Sequence, residues 1–328
     1  MPNIPIYIDD SYWRKGDEYD TSAISFLDQC LMDNKALFSI HFNNIKKDID
    51  EDYSNMMSGM EVAQFDPLLE LIHKLKDGKG EDEFFIDDKQ VYDKRYFTSL
   101  PFDENRGIII FTKNQALDCL QKEYGFGIIN KDSFEALKIV TIEKGRIISD
   151  IDYTADLKYC NSIIVVDRFV LKSKWSIEKN LYPMLKTIKS NAPMVLSVFS
   201  QFQSRSGAPP LQLNPAYTHL LTLCPTNDKW QAEMYDVGER YHDRFIITNN
   251  NYITIGGGLD SRELSGMNIV GSKTTTMHKY TYPIFQKGIL KEIRFYINAL
   301  KKIASDKNIS KQTNMVKGTQ NYLIANWL

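Results

Sequence analysis

The sequence predicts an α/β protein with two domains, the first smaller than the second. The chain has 328 residues, which is enough for two ordinary domains. Hydrophobic residues make up 43% of it, which is enough for packed cores. Short runs with strand character also alternate with stretches of helical periodicity. We therefore expect a globular protein that contains both helices and sheets.

The first half predicts alternating strands and helices. Strands are expected at residues 4–8, 36–42, 107–111 and 124–129, and helices at residues 22–32, 67–76 and 114–122. Residues 84–97 alternate between apolar and polar side chains, as the two strands of a β-hairpin do. Because a hairpin is antiparallel, this half is predicted to be α+β.

The most informative stretch of the second half is residues 241–260. His242 and Arg244 precede an apolar run, three asparagines follow that run, and a second alternating run ends in three glycines. The runs predict two strands, and the asparagines predict a turn that tolerates left-handed residues. Because glycine has no Cβ, backbone N–H groups at Gly256 and Gly257 can approach an anion, or another backbone can pack against them. The stretch therefore predicts a β-hairpin beside a phosphate-sized site.

This stretch resembles the signature of the phospholipase D superfamily, which runs His-x-Lys, four residues, Asp, six residues, Gly-Ser-x-Asn. The spacing is kept, with His242 at the histidine, Arg244 at the lysine, Asn249 at the aspartate, Gly256 at the glycine, Gly257 at the serine and Leu259 at the asparagine. The His-Asp-Arg form is similar to a divergent branch of the superfamily. That branch includes bacterial phospholipase D-like domains and the C-terminal domain of a eukaryotic MIT-domain-containing protein.

The resemblance extends over residues 140–295. Residues 163–169 look like an early strand of that fold that ends in Asp-x-aromatic, residues 181–188 like the following helix, and residues 194–199 like the next strand. The resemblance implies a phospholipase D-like mixed sheet covered by helices, which we place at residues 136–305. Residues 1–135 form an acidic α+β domain of unrecognised type, and residues 306–328 a polar linker and an apolar tail.

Two further segments of the second half carry a prediction. Apolar residues recur at helical spacing from Ile289 to Leu300, which predicts a helix that covers the sheet with its basic face outward. The apolar tail, residues 322–328, is expected to dock either on its own domain or on a partner.

The chemistry that the resemblance implies needs two histidines at one phosphate. One histidine attacks phosphorus and the other protonates the leaving group, without a metal. This chain has one motif, so His242 would be catalytic only if a homodimer brought two copies together. Asn249, Gly257 and Leu259 lack the groups that tune the histidine and hold phosphate, and such losses commonly cost ~100-fold or more each in rate. We therefore expect a recognition module, with a metal-independent phosphodiesterase or nuclease as the alternative.

The candidate ligand-binding residues are His242, Arg244, Asn249, Gly256, Gly257, Asp260, Lys273 and Thr275. Two structural interpretations remain open. His242 and Arg244 could belong to a buried network with Asp260 or Asp167 that only fixes the hairpin. Residues 273–279 could form an exposed edge strand whose lysines prevent aggregation, instead of lining the same cleft.

The net charge of −2 conceals an asymmetry between the halves. Residues 1–145 hold 28 acidic and 17 basic residues, and the remainder holds 14 acidic and 23 basic residues. A basic second half fits a phosphate-containing ligand, such as nucleic acid or a phospholipid headgroup. Alternatively, the two halves neutralise each other across an interface. A protein partner and a homodimer are also expected, and the resemblance implies a bacterial defence system as the setting.

The four cysteines form no Cys-x-x-Cys pair, so neither a zinc site nor a disulfide framework is predicted, and no cofactor is expected. The start of the chain lacks the basic and apolar segments of a signal peptide, and no run approaches the ~20 apolar residues of a membrane span. These features predict a cytoplasmic protein without a transmembrane segment.

Overall fold

The computed structural model describes residues 4–16, 18–45, 54, 66–87, 90–100, 107–130, 136–146, 157–188, 194–202, 211–223, 230–238, 243–256, 262–265, 268–271, 274–314, 321 and 323. A five-stranded sheet and an eight-stranded sheet dominate these residues. None of the helices in these ranges combines the length and the apolar character that a membrane crossing requires.

The first sheet is parallel throughout. Its strands are β1 (Ile4–Ile8), β2 (Phe38–Asn43), β3 (Phe84–Asp87), β4 (Ile109–Phe111) and β5 (Gly127–Ile129). They lie in the order β3-β2-β1-β4-β5, and every neighbouring pair is parallel. The connecting helices are α1 (Thr21–Leu31), α2 (Pro67–Lys76), α3 (Lys94–Ser99) and α4 (Asp118–Tyr124).

The prediction of an α+β first half with a hairpin at residues 84–97 is wrong. Phe84–Asp87 is a strand, but it pairs in parallel with β2, and the second arm of the expected hairpin is helix α3. The side chain of Asp93 accepts a hydrogen bond from the backbone N–H of Tyr96 at 2.9 Å and so caps α3. This helix start overrides the short alternation in the sequence, and the first half is α/β.

The helices of the first half cover opposite faces of its sheet. Residues of α1 and α2 share one hydrophobic cluster with Ile6 and Ile8 of β1. Tyr7, on the other face of β1, packs with Phe97 of α3 and Leu120 of α4. The connections therefore change sides between β1 and β4, which are neighbours in the sheet. Such a change of sides is a topological switch point.

The second sheet is mixed, as predicted. Its strands are β6 (Leu137–Ile142), β7 (Ser162–Val166), β8 (Met194–Ser200), β9 (Trp230–Asp236), β10 (Phe245–Thr248), β11 (Asn251–Ile255), β12 (Thr275–Thr281) and β13 (Lys311–Thr313). They lie in the order β13-β9-β8-β7-β10-β11-β12-β6. Strands β7, β8 and β9 are parallel, and the other pairs are antiparallel. An α/β class with a mixed sheet is therefore confirmed.

Helices pack on both faces of the second sheet. They are α5 (residues 174–185, with a π-helical turn at Ile177–Leu181), α6 (Leu213–Leu223) and α7 (Lys287–Ser305). The apolar stripe of α7 is buried, at Leu290, Ile293, Ile297 and Leu300, and α7 covers the sheet as predicted. Residues of α5 and α6 share the cluster on the opposite face.

Short elements complete the described residues. They are the one-turn helix Asp10–Trp13, the 3-10 turns Met32–Leu37, Gln115–Leu117 and Pro283–Phe285, and the strand pairs Arg14–Lys15 with Glu18–Tyr19 and Arg262–Ser265 with Asn268–Gly271.

The two halves share one hydrophobic core. A single cluster contains Phe38 and Phe111 of the first sheet together with Phe285 and Leu290 of the second half. A Cβ atom at Gly127 would lie 2.6 Å from the Tyr282 ring, so only glycine permits this close approach. The described halves are therefore packed directly against each other.

Part of the tail packs on its own domain. Asn321 and Leu323 are fully buried, and the Asn321 amide donates to the carbonyl of Ile163 and to Ser197 Oγ, both at 3.0 Å. Of the two docking modes expected for the tail, this part adopts the first. The other tail residues after Asn314 lie outside the described residues.

Candidate functional site

The predicted hairpin is confirmed. Strands β10 and β11 pair in antiparallel fashion, with Phe245 opposite Thr254. The turn between them does not use left-handed asparagines, because none of Asn249, Asn250 and Asn251 has a positive φ. Thr248 Oγ1 instead accepts hydrogen bonds from the backbone N–H groups of Asn250, at 3.1 Å, and Asn251, at 2.8 Å. The threonine hydroxyl thus closes the turn.

A cavity of about 760 Å³ lies between this hairpin, strand β12 and helix α7. Three predicted site residues, Arg244, Gly256 and Thr275, line it. Further hydroxyl groups come from Thr254, Thr274 and Thr276. The volume falls within the 300–1,000 Å³ that is common for small-molecule sites. Three of the residues predicted to bind a ligand therefore line the same cavity.

Arg244 belongs to a cluster of three cations around one aromatic ring. Its guanidinium carbon lies 5.5 Å from the ring centroid of Phe169. The guanidinium carbon of Arg168 lies 5.1 Å from the same centroid, and Lys172 Nζ lies 5.4 Å from it. We call Arg168, Lys172 and Arg244 the Phe169 cluster. Cations at such distances are attracted to the ring. Arg168 also donates a hydrogen bond from its Nε to Gln201 Oε1.

The glycine at position 256 does not present its N–H group to the cavity. That N–H donates to the carbonyl of Thr276 at 3.1 Å and continues the pairing between β11 and β12. A Cβ atom at Gly256 would lie 3.4 Å from the same carbonyl oxygen, which is an ordinary contact. Anion binding through this N–H is therefore not supported by its geometry.

The cavity also has acidic and aromatic walls. Glu292 of α7 accepts a hydrogen bond from the hydroxyl of Tyr252 at 2.7 Å. Burial, and then the hydrogen bond to Glu292, raise the pKa of Tyr252 above its ordinary value, so this phenol stays protonated. Asp243, His278 and Tyr296 also line the cavity. The cavity is therefore mixed in charge, and Arg244 is the member of the Phe169 cluster that lines it.

Asn249 lies at the contact between the two halves and not in the cavity wall. Its Oδ1 accepts from the backbone N–H of Asn161 at 3.1 Å, and its Nδ2 donates to the carbonyl of Gly125 at 2.7 Å. Both ends of the buried amide are thus occupied by main-chain groups. This geometry gives Asn249 a structural role.

Four predicted site residues, His242, Gly257, Asp260 and Lys273, lie outside the described residues. Asp167, one of the two carboxylates predicted for the buried network, accepts a hydrogen bond with its Oδ1 from the backbone N–H of Phe169 at 2.8 Å. Residues 275–281 do not form an edge strand, because β12 pairs with β11 on one side and β6 on the other. The edge-strand interpretation is therefore wrong.

Glu292 of the cavity wall, and Arg168 and Lys172 beside the ring that Arg244 approaches, were not predicted from the sequence. Arg168 and Lys172 flank Phe169 at positions −1 and +3, and a basic pair around an aromatic residue was the available signal. Glu292 carries no such signal, since acidic residues are common on exposed helix faces.

The fold and the cavity together define an α/β protein with a ligand-sized cavity on its mixed sheet. No protein-family model matches the chain, and none of the curated proteins matches it. Within the described ranges, no group of three or more His, Cys, Asp or Glu residues is arranged to hold a metal ion.

Proposed function

We propose that this protein is a recognition module whose cavity beside Arg244 binds a phosphate-containing ligand. The observation that carries the proposal is Arg244, a cation in the wall of a cavity that threonine hydroxyls also line. Guanidinium groups bind phosphate oxygens with paired hydrogen bonds, and threonine hydroxyls add further donors. Binding requires only these donors, whereas hydrolysis also requires an activated nucleophile.

The outer face of α7, the helix that supplies Glu292 and Tyr296 to the cavity, also carries basic residues. Lys291 and Lys302 are exposed, and between them Phe295 is 69% exposed. The Phe295 ring contacts Tyr296 at a centroid distance of 5.6 Å, and Tyr296 contacts Phe245 in the cavity at 4.4 Å. Basic side chains around an exposed aromatic ring suit a polyanion such as nucleic acid, and the phospholipid headgroup and the protein partner remain the other ligands to test.

The setting that we propose is the cytoplasm of a bacterial cell, within a defence system. Cys30, Cys119 and Cys160 are free thiols, which fits a reducing compartment. Burial raises the pKa of the Cys30 thiol to about 12, so it stays protonated and unreactive.

The test is a binding measurement on the full chain with a matched charge control. Fluorescence anisotropy with labelled single-stranded DNA and RNA, and sedimentation with vesicles of neutral or anionic phospholipid, would identify the ligand class. We expect Arg244→Met to weaken binding by ~10- to 100-fold, because a hydrogen bond to a charged group contributes ~1.5–3 kcal/mol. Lys311→Met removes an exposed cation from β13 at the far edge of the sheet and should change affinity by less than about twofold.

Two outcomes would contradict the proposal. Equal affinity in Arg244→Met and the unaltered protein would remove the cavity as the binding site. Cleavage of DNA, RNA or phospholipid that persists in EDTA and disappears in His242→Ala would favour the alternative, a metal-independent phosphodiesterase that acts as a homodimer.

A further inference from the structure

Strand β6 is the longest of the outer strands of the two large sheets. It has six residues, whereas the other outer strands, β3, β5 and β13, have four, three and three. β6 pairs with β12 on one side, and none of the described strands lies on its other side. Leu137 is 42% exposed and Ile139 is 59% exposed. An exposed apolar edge of this length is a surface on which a further strand can pair.

The main-chain groups of β6 point alternately toward β12 and toward the open edge. The N–H of Thr281 donates to the carbonyl of Ala136 at 3.0 Å, so every second residue from Ala136 onward turns its N–H and C=O groups to β12. The groups of Leu137, Ile139 and Thr141 therefore point to the open edge. The exposed side chain of Arg146 makes only a long contact there, with its Nη1 3.5 Å from the carbonyl of Thr141.

These outward groups are complementary to a second copy of themselves. Two antiparallel copies of β6, related by a two-fold axis perpendicular to the sheet, can place Ile139 opposite Ile139 of the partner. Leu137 of each copy then lies opposite Thr141 of the other. Such pairs exchange both N–H···O bonds, so every outward group of the three residues finds a partner. A register shifted by two residues leaves either Leu137 or Thr141 without a partner in the strand.

The side chains of β6 fit the same register. On one face the exposed Ile139 side chains of the two copies meet at the axis. On the other face Lys138 lies opposite Val140 of the partner, so no like charges oppose each other. We propose that this protein forms a symmetric dimer through β6, which joins the two mixed sheets into one continuous sheet.

This dimer differs from the homodimer of the alternative function. Three strand spacings within each copy and one between the copies separate β10 from β10 of the partner, which amounts to about 34 Å. The two motif copies before β10 therefore stay apart. Thr276 and His278 line the cavity and lie opposite Thr141 and Ile139, so the perpendicular axis places both cavities on one face of the joined sheet.

The inference goes beyond the proposed function and does not depend on it, because association is measured without a ligand. The test is sedimentation velocity of the full chain at concentrations up to about 100 µM. High concentrations are needed because six residues from each copy is fewer than the ~20–30 of a standard interface, which predicts a weak dimer. We expect the sedimenting species to reach twice the mass of one chain as the concentration rises.

Hydrogen exchange in the same samples locates the interface without any substitution. The N–H groups of Leu137, Ile139 and Thr141 should exchange more slowly as the concentration rises, because they become hydrogen-bonded in the dimer. The N–H groups of Lys138 and Val140 already face β12, so their exchange should not depend on concentration.

Charge variants at position 139 test the register. Ile139→Glu or Ile139→Lys alone places two like charges opposite each other at the axis and should weaken the dimer by ~10-fold or more. An equimolar mixture of the two variants should recover the dimer, because glutamate then lies opposite lysine. Val91→Glu changes another exposed apolar residue, outside the strands, and should leave association unchanged.

Each other outcome overturns the proposal. A chain that stays monomeric at every concentration has an edge that remains unpaired. A dimer that persists in both single-charge variants uses another surface, and a mixture that stays monomeric excludes the register centred on Ile139. If a variant fails to fold, exchange rates at Leu137, Ile139 and Thr141 that do not change with the concentration of the unaltered protein have the same consequence.

Discussion

At the scale of single residues, Arg244 and Asp9 differ in the groups that surround their charges. Arg244 is placed beside a ring that two other cations also approach, whereas Asp9 is surrounded by neutral donors. Burial raises the pKa of Asp9 above its ordinary value, and its hydrogen bonds oppose that rise. A cluster of cations favours an added anion, while a buried and saturated carboxylate favours a fixed architecture.

Asn249 gives a residue-scale prediction. The phospholipase D signature has aspartate at this position, and Asn249→Asp would exchange the Nδ2 donor for an acceptor that faces the carbonyl of Gly125. We expect a loss of ~1–3 kcal/mol in the free energy of unfolding at neutral pH, since the buried carbonyl loses its partner. Urea denaturation would measure the loss. Asn298→Asp, on the exposed face of α7, is the control and should change stability by less than ~0.5 kcal/mol.

If Asn249→Asp were as stable as the unaltered protein, the hydrogen bond to Gly125 would not hold the halves together. Thr248 also has a structural role that the sequence did not predict. Its hydroxyl closes the hairpin turn, a role that the asparagine run was expected to fill.

At the scale of secondary-structure elements, the first sheet contains an aromatic ladder across three strands. Tyr7, His41 and Phe85 lie opposite one another on β1, β2 and β3. The His41 ring stacks on both neighbours with centroid distances of 4.4 Å. Burial lowers the pKa of His41 from 6.5 to about 4, so the stacked imidazole is neutral at pH 7.

The ladder predicts a pH dependence of stability. Between pH 6.5 and about 4 the unfolded state protonates His41 and the folded state does not, so folding stability falls as the pH is lowered through this window. The loss from this residue is at most ~3 kcal/mol for the cited shift. Urea denaturation at a series of pH values should show a smaller decline in His41→Phe than in the unaltered protein. Parallel curves for His41→Phe and the unaltered protein would refute the explanation.

Element types could be predicted better than element pairing. The helix predicted at residues 67–76 has these bounds in the structure, where Asp66 caps α2 through the N–H groups of Leu68 and Leu69. The parallel pairing of β3 was missed because a short strand has the same sequence pattern in either orientation. Orientation is decided by partners that are distant in the sequence.

At the scale of the whole molecule, the two sheets stabilise each other. Their shared hydrophobic cluster and the contact of Gly127 with Tyr282 join the halves. Arg244 could be placed near the site from sequence spacing, but the Phe169 cluster could not, since it joins the turn after β7 to the residue before β10. A cavity of about 440 Å³ that Thr112, Asn130 and Tyr159 line could not be predicted either, because its walls come from both halves.

The shared core predicts cooperative unfolding. Gly127→Ala would bring a methyl group to 2.6 Å from the buried Tyr282 ring, and overpacking of this kind typically costs ~1–3 kcal/mol. Scanning calorimetry should show one transition in the unaltered protein and one transition at lower temperature in Gly127→Ala. Gly288→Ala, where a Cβ would meet no atom within 4 Å, should not lower the melting temperature. Two separated transitions in the unaltered protein would contradict the shared core.

The contact at Gly127 also bears on how such a chain can evolve. A domain that is exchanged between genes needs a polar surface on all sides. Neither half has a polar surface where it contacts the other, because Phe111 and Phe285 meet there at a centroid distance of 5.7 Å. Transferring the basic half alone to another gene would expose these rings to solvent. The two halves must therefore be inherited together. Substitutions in one half at this interface restrict the substitutions that the other half tolerates.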